Sequence, residues 1–140
     1  MKTTVIVPTF NEEKFLQLTL ENLRNQTYKD FELIVKDGLS TDRTVEIASK
    51  YTGKVFSERD TSAGEARNQG AKYIEKDCSI IVFIDADTTL APNAMERIVK
   101  DFKEHHPSFI IPKYLPRREI ARANGKFVQL PNPAIKLWFT

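Results

Sequence analysis

Two aspartates, Asp85 and Asp87, stand two positions apart directly after an apolar run. The stretch SIIVFIDADTTL covers residues 79–90, and the residues that precede Asp85 suit the interior of a β-strand. Packing does not explain two negative charges at the end of a buried strand. Carboxylate oxygens are preferred ligands of Mg²⁺ and Mn²⁺, and such a cation can join a carboxylate to phosphate oxygens. The pair therefore predicts a site for Mg²⁺ or Mn²⁺ between the protein and a phosphate-containing ligand.

Strands and helices that would position this pair alternate along the chain. Short apolar runs at residues 4–7, 31–35, 54–57 and 79–84 predict four strands, and a further strand is predicted at residues 109–111. The segments between these runs carry apolar residues at helical spacing. This alternation predicts an α/β fold with a mostly parallel sheet and helices on both of its faces.

Polar residues mark where the predicted helices begin. Asn11, Asp42 and Ser62 are predicted to cap the first three helices, with Glu12 and Glu13 in the first turn of the first one. Pro92 is predicted to start the fourth helix, whose apolar residues recur at helical spacing. Glu65 has the spacing of a capping box with Ser62.

Ligands of a parallel sheet bind outside the carboxyl ends of its strands. Thr9 follows the first predicted strand, Asp37 the second, and Asp85 and Asp87 the fourth. We therefore expect three separate stretches of the chain to converge on one cleft. The glycine-rich signatures of P-loop and dinucleotide-binding proteins are absent from these positions.

The composition sets broad limits on the kind of protein. The chain has 140 residues, 41% of them apolar, which is enough for one domain with a hydrophobic core. Its net charge of +2 does not point to nucleic acid as a partner. Cys78 is the only cysteine, which fits a reducing compartment, and no apolar run is long enough to span a bilayer. A cytoplasmic location is expected, with the inner membrane surface as an alternative.

Four motifs resemble the successive signatures of family 2 glycosyltransferases. They are VIVPTFNEE at residues 5–13, VKDGLSTDRT at 35–44, GEARNQGAK at 64–72 and VFIDAD at 82–87. Each motif is weak by itself, but the four occur in the order and spacing of the family. The resemblance implies the GT-A fold, a Rossmann-like α/β arrangement, for a nucleotide-sugar-binding core at residues 1–112.

The resemblance also implies an activity and a donor. A member of this family would transfer a sugar from a nucleotide-diphosphate sugar, here a UDP- or GDP-sugar, to an acceptor hydroxyl with inversion. Pro8, Thr9 and Phe10 would line the base pocket. Asp37 would accept a hydrogen bond from a ring N–H of the base, which uracil and guanine both offer.

The remaining contacts implied by the resemblance concern the ribose and the diphosphate. Arg67 would contact the base or the phosphates, and Asp85 the ribose. Asp87, with Asp85, would ligate the Mg²⁺ or Mn²⁺ that bridges the diphosphate. Ala86 between them is assigned to the nucleotide site. Glu12 is assigned there as well, with a role at the start of a helix as its alternative.

Ordinary structural roles compete with these assignments. Asp85 and Asp87 could form a solvated turn after a strand, Asp37 could belong to a simple turn, and Arg67 could be a surface helix residue. The family commonly shows a second acidic residue and then a glycine after the position of Asp37. Gly38 and Leu39 stand there in this sequence, which puts a secondary contact in doubt.

The last segment departs most from the family. Residues 113–140 are interpreted as the start of an incomplete acceptor-side region, and no general base is identified, since only Glu104 and Glu119 follow Asp101 as acidic residues. Little transfer is therefore expected of this chain. The acceptor stays open among a sugar, a lipid phosphate and a protein.

Two surface properties are also expected of the last segment. Basic residues between positions 113 and 126 favour a solvated face, with peripheral membrane contact as the alternative. Leu137, Trp138 and Phe139 would favour self-association. The alternatives to a transferase are a nucleotide-sugar-binding module without transfer activity and, less favoured, a sugar-phosphate nucleotidyltransferase.

Overall fold

A computed structural model of the chain describes residues 1–110. Its strands form one parallel sheet in the order β3-β2-β1-β4, which confirms the predicted α/β class. The strands are β1 (Thr3–Thr9), β2 (Phe31–Asp37), β3 (Val55–Ser57) and β4 (Ile80–Phe83). The helices are α1 (Leu16–Arg24), α2 (Thr44–Ala48), α3 (Ala63–Ala71) and α4 (Ala94–His105).

Helices cover both faces of the sheet, as predicted. Gly70 of α3 lies so close to β1 that a Cβ atom there would be 2.7 Å from Cγ2 of Ile6. Leu20 of α1 lines a recess together with Leu33 of β2. Side chains alternate between faces along a strand, and Val5 is the partner of Leu33, so Ile6 and Leu33 face opposite sides. The residues of β1 are therefore buried on both sides, which explains its continuous apolar run.

The first helix begins later than the sequence suggested. Asn11 does not cap it, because α1 begins at Leu16, and its first turn contains neither Glu12 nor Glu13. Asn11 instead has a left-handed backbone with φ of 52°, and its Oδ1 accepts a hydrogen bond from the N–H of Thr41 at 2.8 Å. Asparagine tolerates this backbone and often uses its side chain in loops, which explains the wrong prediction.

The other three helices begin at the predicted positions or within two residues of them. Ser62 caps α3 as predicted, since its Oγ accepts a hydrogen bond from the N–H of Glu65 at 3.1 Å. Asp42 accepts from the N–H of Thr44 at 2.9 Å but lies one residue before the N-cap position of α2. The fourth helix begins at Ala94, two residues after Pro92.

The chain divides into two compact units at Glu96. The first unit is Met1–Glu96 and the second starts at Arg97. Residues 109 and 110 belong to no strand, whereas position 111 of the predicted fifth strand lies outside the described residues. The division predicted at residues 112 and 113 stays a prediction. Within residues 1–110, no helix is long and apolar enough to cross a membrane.

Candidate functional site

Three strands end at a common edge, which we call the carboxyl edge. Thr9, the last residue of β1, is the register partner of Asp37, the last residue of β2, and the N–H of Gly38 donates to the carbonyl of Thr9 at 2.9 Å. Beyond β4, the N–H of Ile84 donates to the carbonyl of Ile6 at 3.0 Å, so Asp85 follows at the same edge. The structure therefore confirms that the three stretches predicted from the sequence converge.

Asp37 is almost completely buried at this edge, with 1% of its surface exposed. Its Oδ2 accepts from the N–H of Ser40 at 3.0 Å, and its Oδ1 accepts from the hydroxyl of Ser40 at 2.5 Å. The hydroxyl of Thr9 lies 3.4 Å from Oδ1. Asp37 thus holds the loop after β2 in place, while a carboxylate oxygen can still accept a further hydrogen bond. Its predicted contact with a base stays a prediction.

Hydrogen bonds join the loop after β1 to the loop after β2. The backbone N–H of Asn11 donates to Oγ of Ser40 at 2.8 Å, and that of Glu12 donates to Oγ1 of Thr44 at 2.8 Å. Phe10, which precedes these residues, is 58% exposed. An exposed aromatic ring on a fixed loop offers a flat face on which a base can stack.

An ion pair connects two motifs that are far apart in the sequence. Nη2 of Arg67 on α3 lies 2.8 Å from Oδ1 of Asp85, and both side chains are partly exposed. The N–H of Thr88 donates to the carbonyl of Asp85 at 3.0 Å, which forms a turn around Ala86 and Asp87. The turn that competes with the metal assignment is therefore present, and it presents Asp87 to solvent. A turn and a metal site are compatible here.

Polar residues on the buried side of α1 hold the segment that follows Asp85. The hydroxyl of Thr19 donates to the carbonyl of Ala86 at 2.7 Å. Asn22 exchanges two hydrogen bonds with the backbone of Leu90, one of 3.0 Å through its Nδ2 and one of 2.8 Å through its Oδ1. We call Thr19, Asn22 and Gln26, which follows the end of α1, the α1 clasp.

Gln26 completes the clasp from a fully buried position. Its Nε2 donates to the carbonyl of Ala91 at 2.9 Å, and its Oε1 accepts from the N–H of Met95 at 3.1 Å. The clasp was not predicted from the sequence, although polar residues at helical spacing within an apolar stripe were a usable signal. Ala86, assigned to the nucleotide site, is itself buried, and its carbonyl is used by Thr19.

A second feature that the sequence analysis missed is a buried ion pair behind the predicted base pocket. Nζ of Lys36, in β2, lies 2.6 Å from Oδ2 of Asp60, in the loop after β3. Lys36 has no exposed surface, which is rare for lysine unless it is paired. The only signal in the sequence was a lysine at the end of an apolar strand, next to Asp37.

The donor set at the carboxyl edge fits Mg²⁺ or Mn²⁺ only in part. Within the residues that the structure describes, no group of three or more His, Cys, Asp or Glu side chains is arranged to hold a metal ion. Asp85 and Asp87 offer oxygen ligands from one turn. Mg²⁺ is often held by one or two carboxylates together with waters and phosphate oxygens, so two carboxylates are sufficient if a diphosphate supplies the rest.

Comparison with known proteins identifies relatives of this chain. Residues 4–129 match the family model described as "Glycosyl transferase family 2". The poly(ribitol-phosphate) beta-N-acetylglucosaminyltransferase TarP of Staphylococcus aureus strain N315 is 36% identical over 121 residues, which are 81% of this chain and 36% of TarP. The corresponding enzyme TarS of strain Mu50 is 32% identical over 121 residues, 81% of this chain and 21% of TarS.

Solved structures show the same similarity in three dimensions. A crystal structure of S. aureus TarS 1-349 in complex with UDP-GlcNAc matches 83% of this chain and 37% of that chain, with a TM-score of 0.64 and 28% identity. A mannosyltransferase of Pyrobaculum calidifontis, solved with GDP-Man and Mn²⁺, matches 84% of this chain and 36% of that chain with a TM-score of 0.71. Its 24% identity supports the fold alone. The chain thus spans between about a fifth and two fifths of the length of these relatives.

Proposed function

The chain belongs to glycosyl transferase family 2, and from this premise we propose that it binds the nucleotide-diphosphate sugar of an inverting sugar transfer. The observation that carries the proposal is the ion pair between Arg67 and Asp85 at the carboxyl edge, the edge that also carries Phe10 and Asp37. An exposed aromatic ring, hydrogen-bond acceptors, an arginine and two carboxylates lie at this edge. Those are the groups that a base, a ribose and a metal-bound diphosphate need.

The base and the ribose have separate candidate contacts. Phe10 offers its exposed ring for stacking, and Asp37 offers an acceptor for a ring N–H of uracil or guanine. Asp85 is the candidate for the ribose hydroxyls because it carries an exposed carboxylate on the turn beyond β4. The complex of TarS with UDP-GlcNAc supports UDP as the nucleotide of this chain.

The leaving diphosphate requires positive charge, because negative charge develops on it as the sugar departs. Arg67 supplies one cationic group, and Asp85 holds that group at the carboxyl edge. Asp87 and Asp85 would hold Mg²⁺ or Mn²⁺, which supplies charge neutralisation when it is bound. The α1 clasp fixes the backbone of the turn that carries both aspartates.

The acceptor side of the reaction is a separate proposal. Transfer to a hydroxyl requires a general base, and the sequence analysis assigned none. The predicted contacts with membrane, with an acceptor and with a second copy of the chain involve residues 113–140, which lie outside the described residues. They stay proposals, as does the cytoplasmic location.

The experiment that tests the proposed function is titration calorimetry with UDP and with GDP, in Mn²⁺ and in EDTA. We expect one of the two nucleotides to bind with an affinity that EDTA lowers. Asp87→Ala should weaken binding in Mn²⁺ and remove the difference between Mn²⁺ and EDTA. Equal affinity of the wild-type chain in both buffers would contradict the metal assignment.

Asp77→Ala is the matched control for this experiment. Asp77 is an exposed aspartate that pairs with Lys2 at 2.9 Å, and Lys2 immediately precedes β1 at the opposite end of the strands. The substitution removes the same charge from the chain as Asp87→Ala. It should leave the affinity for the nucleotide and its dependence on Mn²⁺ unchanged.

A further inference from the structure

A recess with a volume of about 290 Å³ lies beside α1 and the first half of β2. The apolar side chains that line it come from these two elements and are Leu20, Leu23, Phe31 and Leu33. Asp37 follows Leu33 four residues later, or about 13 Å along the strand, so the recess is separate from the carboxyl edge. Pockets for small molecules are mostly apolar and usually have volumes of about 300–1,000 Å³, so this recess has the size expected for a small ligand.

Two cationic side chains, Arg24 and Lys29, also line the recess. Arg24 is the last residue of α1, and Lys29 lies two positions before β2. Nζ of Lys29 donates to the carbonyl of Arg24 at 2.5 Å, which holds the ammonium group at the carboxyl-terminal end of α1. Such a position is favourable for a cation, because the last carbonyls of a helix carry partial negative charge. This contact uses one of the three N–H donors of the ammonium group.

The guanidinium group of Arg24 is held at the recess by an aromatic ring. Its Cζ lies 5.8 Å from the centroid of the Tyr51 ring, which also lines the recess. The hydroxyl of Tyr51 donates to Oε1 of Glu21 at 3.1 Å, and this hydrogen bond fixes the ring. A cation–π contact orients a guanidinium group by electrostatic attraction and leaves N–H donors for an anion. Arg24 is therefore positioned and still able to bind a ligand.

The charges around the recess are not balanced. Two of the side chains that are described as its lining are cationic, and none of them is acidic. In the part of the chain that the structure describes, no carboxylate lies within ion-pair distance of Arg24 or Lys29. The carboxylate of Glu21 attracts Arg24 but accepts its hydrogen bonds from Gln17 and Tyr51. An anion that enters the recess therefore meets two cations without a direct carboxylate partner.

We propose that this recess binds a small amphipathic carboxylate, with its apolar body against the leucine and phenylalanine side chains and its charge at Arg24 and Lys29. A guanidinium group matches the geometry of a carboxylate, and an ammonium group adds a second charge. Burial of the apolar body supplies affinity that an exposed ion pair alone would lack. The inference goes beyond the proposed function and does not depend on it, because neither the nucleotide nor the metal takes part.

The test uses octanoate as the probe, at concentrations below those at which it forms micelles, and follows backbone amide shifts by NMR. We expect octanoate to bind and to shift the amides of the residues that line the recess. Acetate lacks the apolar body and octylammonium carries the opposite charge, so each should bind at least about tenfold more weakly than octanoate. Added salt should weaken the binding of octanoate, because it screens the exposed cations, and should not weaken that of neutral octanol.

Substitutions test the charge and the apolar lining separately. Arg24→Gln and Lys29→Gln should each lower the affinity for octanoate about threefold, because each removes one exposed cation from the recess. Leu33→Trp should fill the recess and abolish binding. The two glutamine variants keep the test decisive if Leu33→Trp does not fold, since both replaced side chains are exposed. Lys72→Gln is the matched control, because Lys72 is an exposed lysine at the end of α3, on the opposite face of the sheet, and it should bind like the wild type.

Several outcomes would overturn the inference. Absence of amide shifts with octanoate, or equal affinity for octanoate and octylammonium, would show that the recess does not select an amphipathic anion. Displacement of octanoate by UDP would place the probe at the carboxyl edge. If the amides that line the recess shift when the protein alone is concentrated, and Leu33→Trp prevents that shift, the recess is an interface between copies of the chain. Failure of nucleotide binding would remove the proposed function and leave this inference standing.

Discussion

Arg67 and Asp85 form an ion pair with 2.8 Å between Nη2 and Oδ1, which ties α3 to the turn beyond β4. The two residues belong to different sequence motifs and are 18 positions apart. The pair holds the guanidinium group at the carboxyl edge, where the proposed function places the diphosphate. Such a prepositioned cation costs less reorganisation when charge develops on a leaving group.

We expect Arg67→Gln to affect nucleotide binding more than stability. Both partners are partly exposed, and an exposed ion pair contributes only about 0.2–1 kcal/mol to the free energy of unfolding. A hydrogen bond from a charged group to a phosphate contributes about 1.5–3 kcal/mol, so the affinity for the diphosphate should fall at least about tenfold. Urea denaturation and calorimetry on the same samples measure the two effects.

Lys50→Gln is the control for the Arg67 variant. Lys50 forms an exposed ion pair with Glu46 at 3.3 Å near the end of α2, and its replacement removes one positive charge from the chain. Its nucleotide affinity should match that of the wild type. If Arg67→Gln and Lys50→Gln bind the diphosphate equally well, Arg67 is an ordinary surface residue of α3 that does not contact the nucleotide.

Asp37→Ala should lower both stability and nucleotide affinity. The N–H and the hydroxyl of Ser40 would lose their acceptor at a position that is 1% exposed, which costs about 1–3 kcal/mol of unfolding free energy. The affinity should fall as well if Asp37 also accepts from the base. Urea denaturation gives the first effect and calorimetry gives the second.

Ser40→Ala separates the two roles of Asp37. It removes the hydroxyl that donates to Asp37 and accepts from the N–H of Asn11, and it leaves the carboxylate of Asp37 in place. It should therefore lower stability with less effect on nucleotide affinity. A variant Asp37→Ala as stable as the wild type would show that the loop does not depend on this carboxylate. Equal losses of affinity for both variants would mean that the carboxylate acts only through the loop.

Low pH should destabilise the fold partly through Glu75. Ion pairs with Lys2 and then Lys54 lower the pKa of Glu75 from 4.5 to about 2. Because the pKa is lower in the folded state, the stabilisation is complete above pH 4.5 and is lost as the pH falls towards 2. Urea midpoints should therefore decrease more between pH 5 and pH 2.5 in the wild type than in Glu75→Gln. Identical pH profiles would contradict this assignment.

The sequence was sufficient to predict the alternation of strands and helices and the common edge of three strands. The apolar runs are continuous, because β1 and β2 lie in the middle of the sheet and bury both faces. Parallel strands end at the same edge whatever their order in the sheet, so Thr9, Asp37 and Asp85 could be expected at one edge. These features depend on local pattern and on general topology.

The contacts that set the geometry of the site could not be predicted in the same way. Asn11 was expected to cap a helix, but its partner Thr41 comes from another loop, 30 positions away. Lys36 depends on Asp60, which is 24 positions away and reaches it only because β3 pairs with β2. Such pairs depend on the three-dimensional packing of loops, for which a single sequence carries no periodic signal.

The α1 clasp leads to a prediction that concerns the metal directly. The hydroxyl of Thr19 is a buried donor to the carbonyl of Ala86, the residue between the two aspartates assigned to the metal. Thr19→Val keeps the shape of the side chain but removes the donor, which should cost about 1–3 kcal/mol of unfolding free energy. The turn should also become less fixed, so that the gain in UDP affinity on adding Mn²⁺ becomes smaller. Affinity in EDTA should change little, because Phe10 and Asp37 do not depend on this hydroxyl.

Thr19→Ser and Thr27→Val complete this test. Serine keeps the hydroxyl, so Thr19→Ser should retain most of the gain that Mn²⁺ brings. Thr27 follows α1 and donates to Glu96 at an exposed position, so Thr27→Val makes the same chemical change away from the aspartates. It should leave the gain unchanged. If Thr19→Val also keeps the full gain while losing stability, the clasp supports the fold alone and Asp85 and Asp87 hold their positions without it.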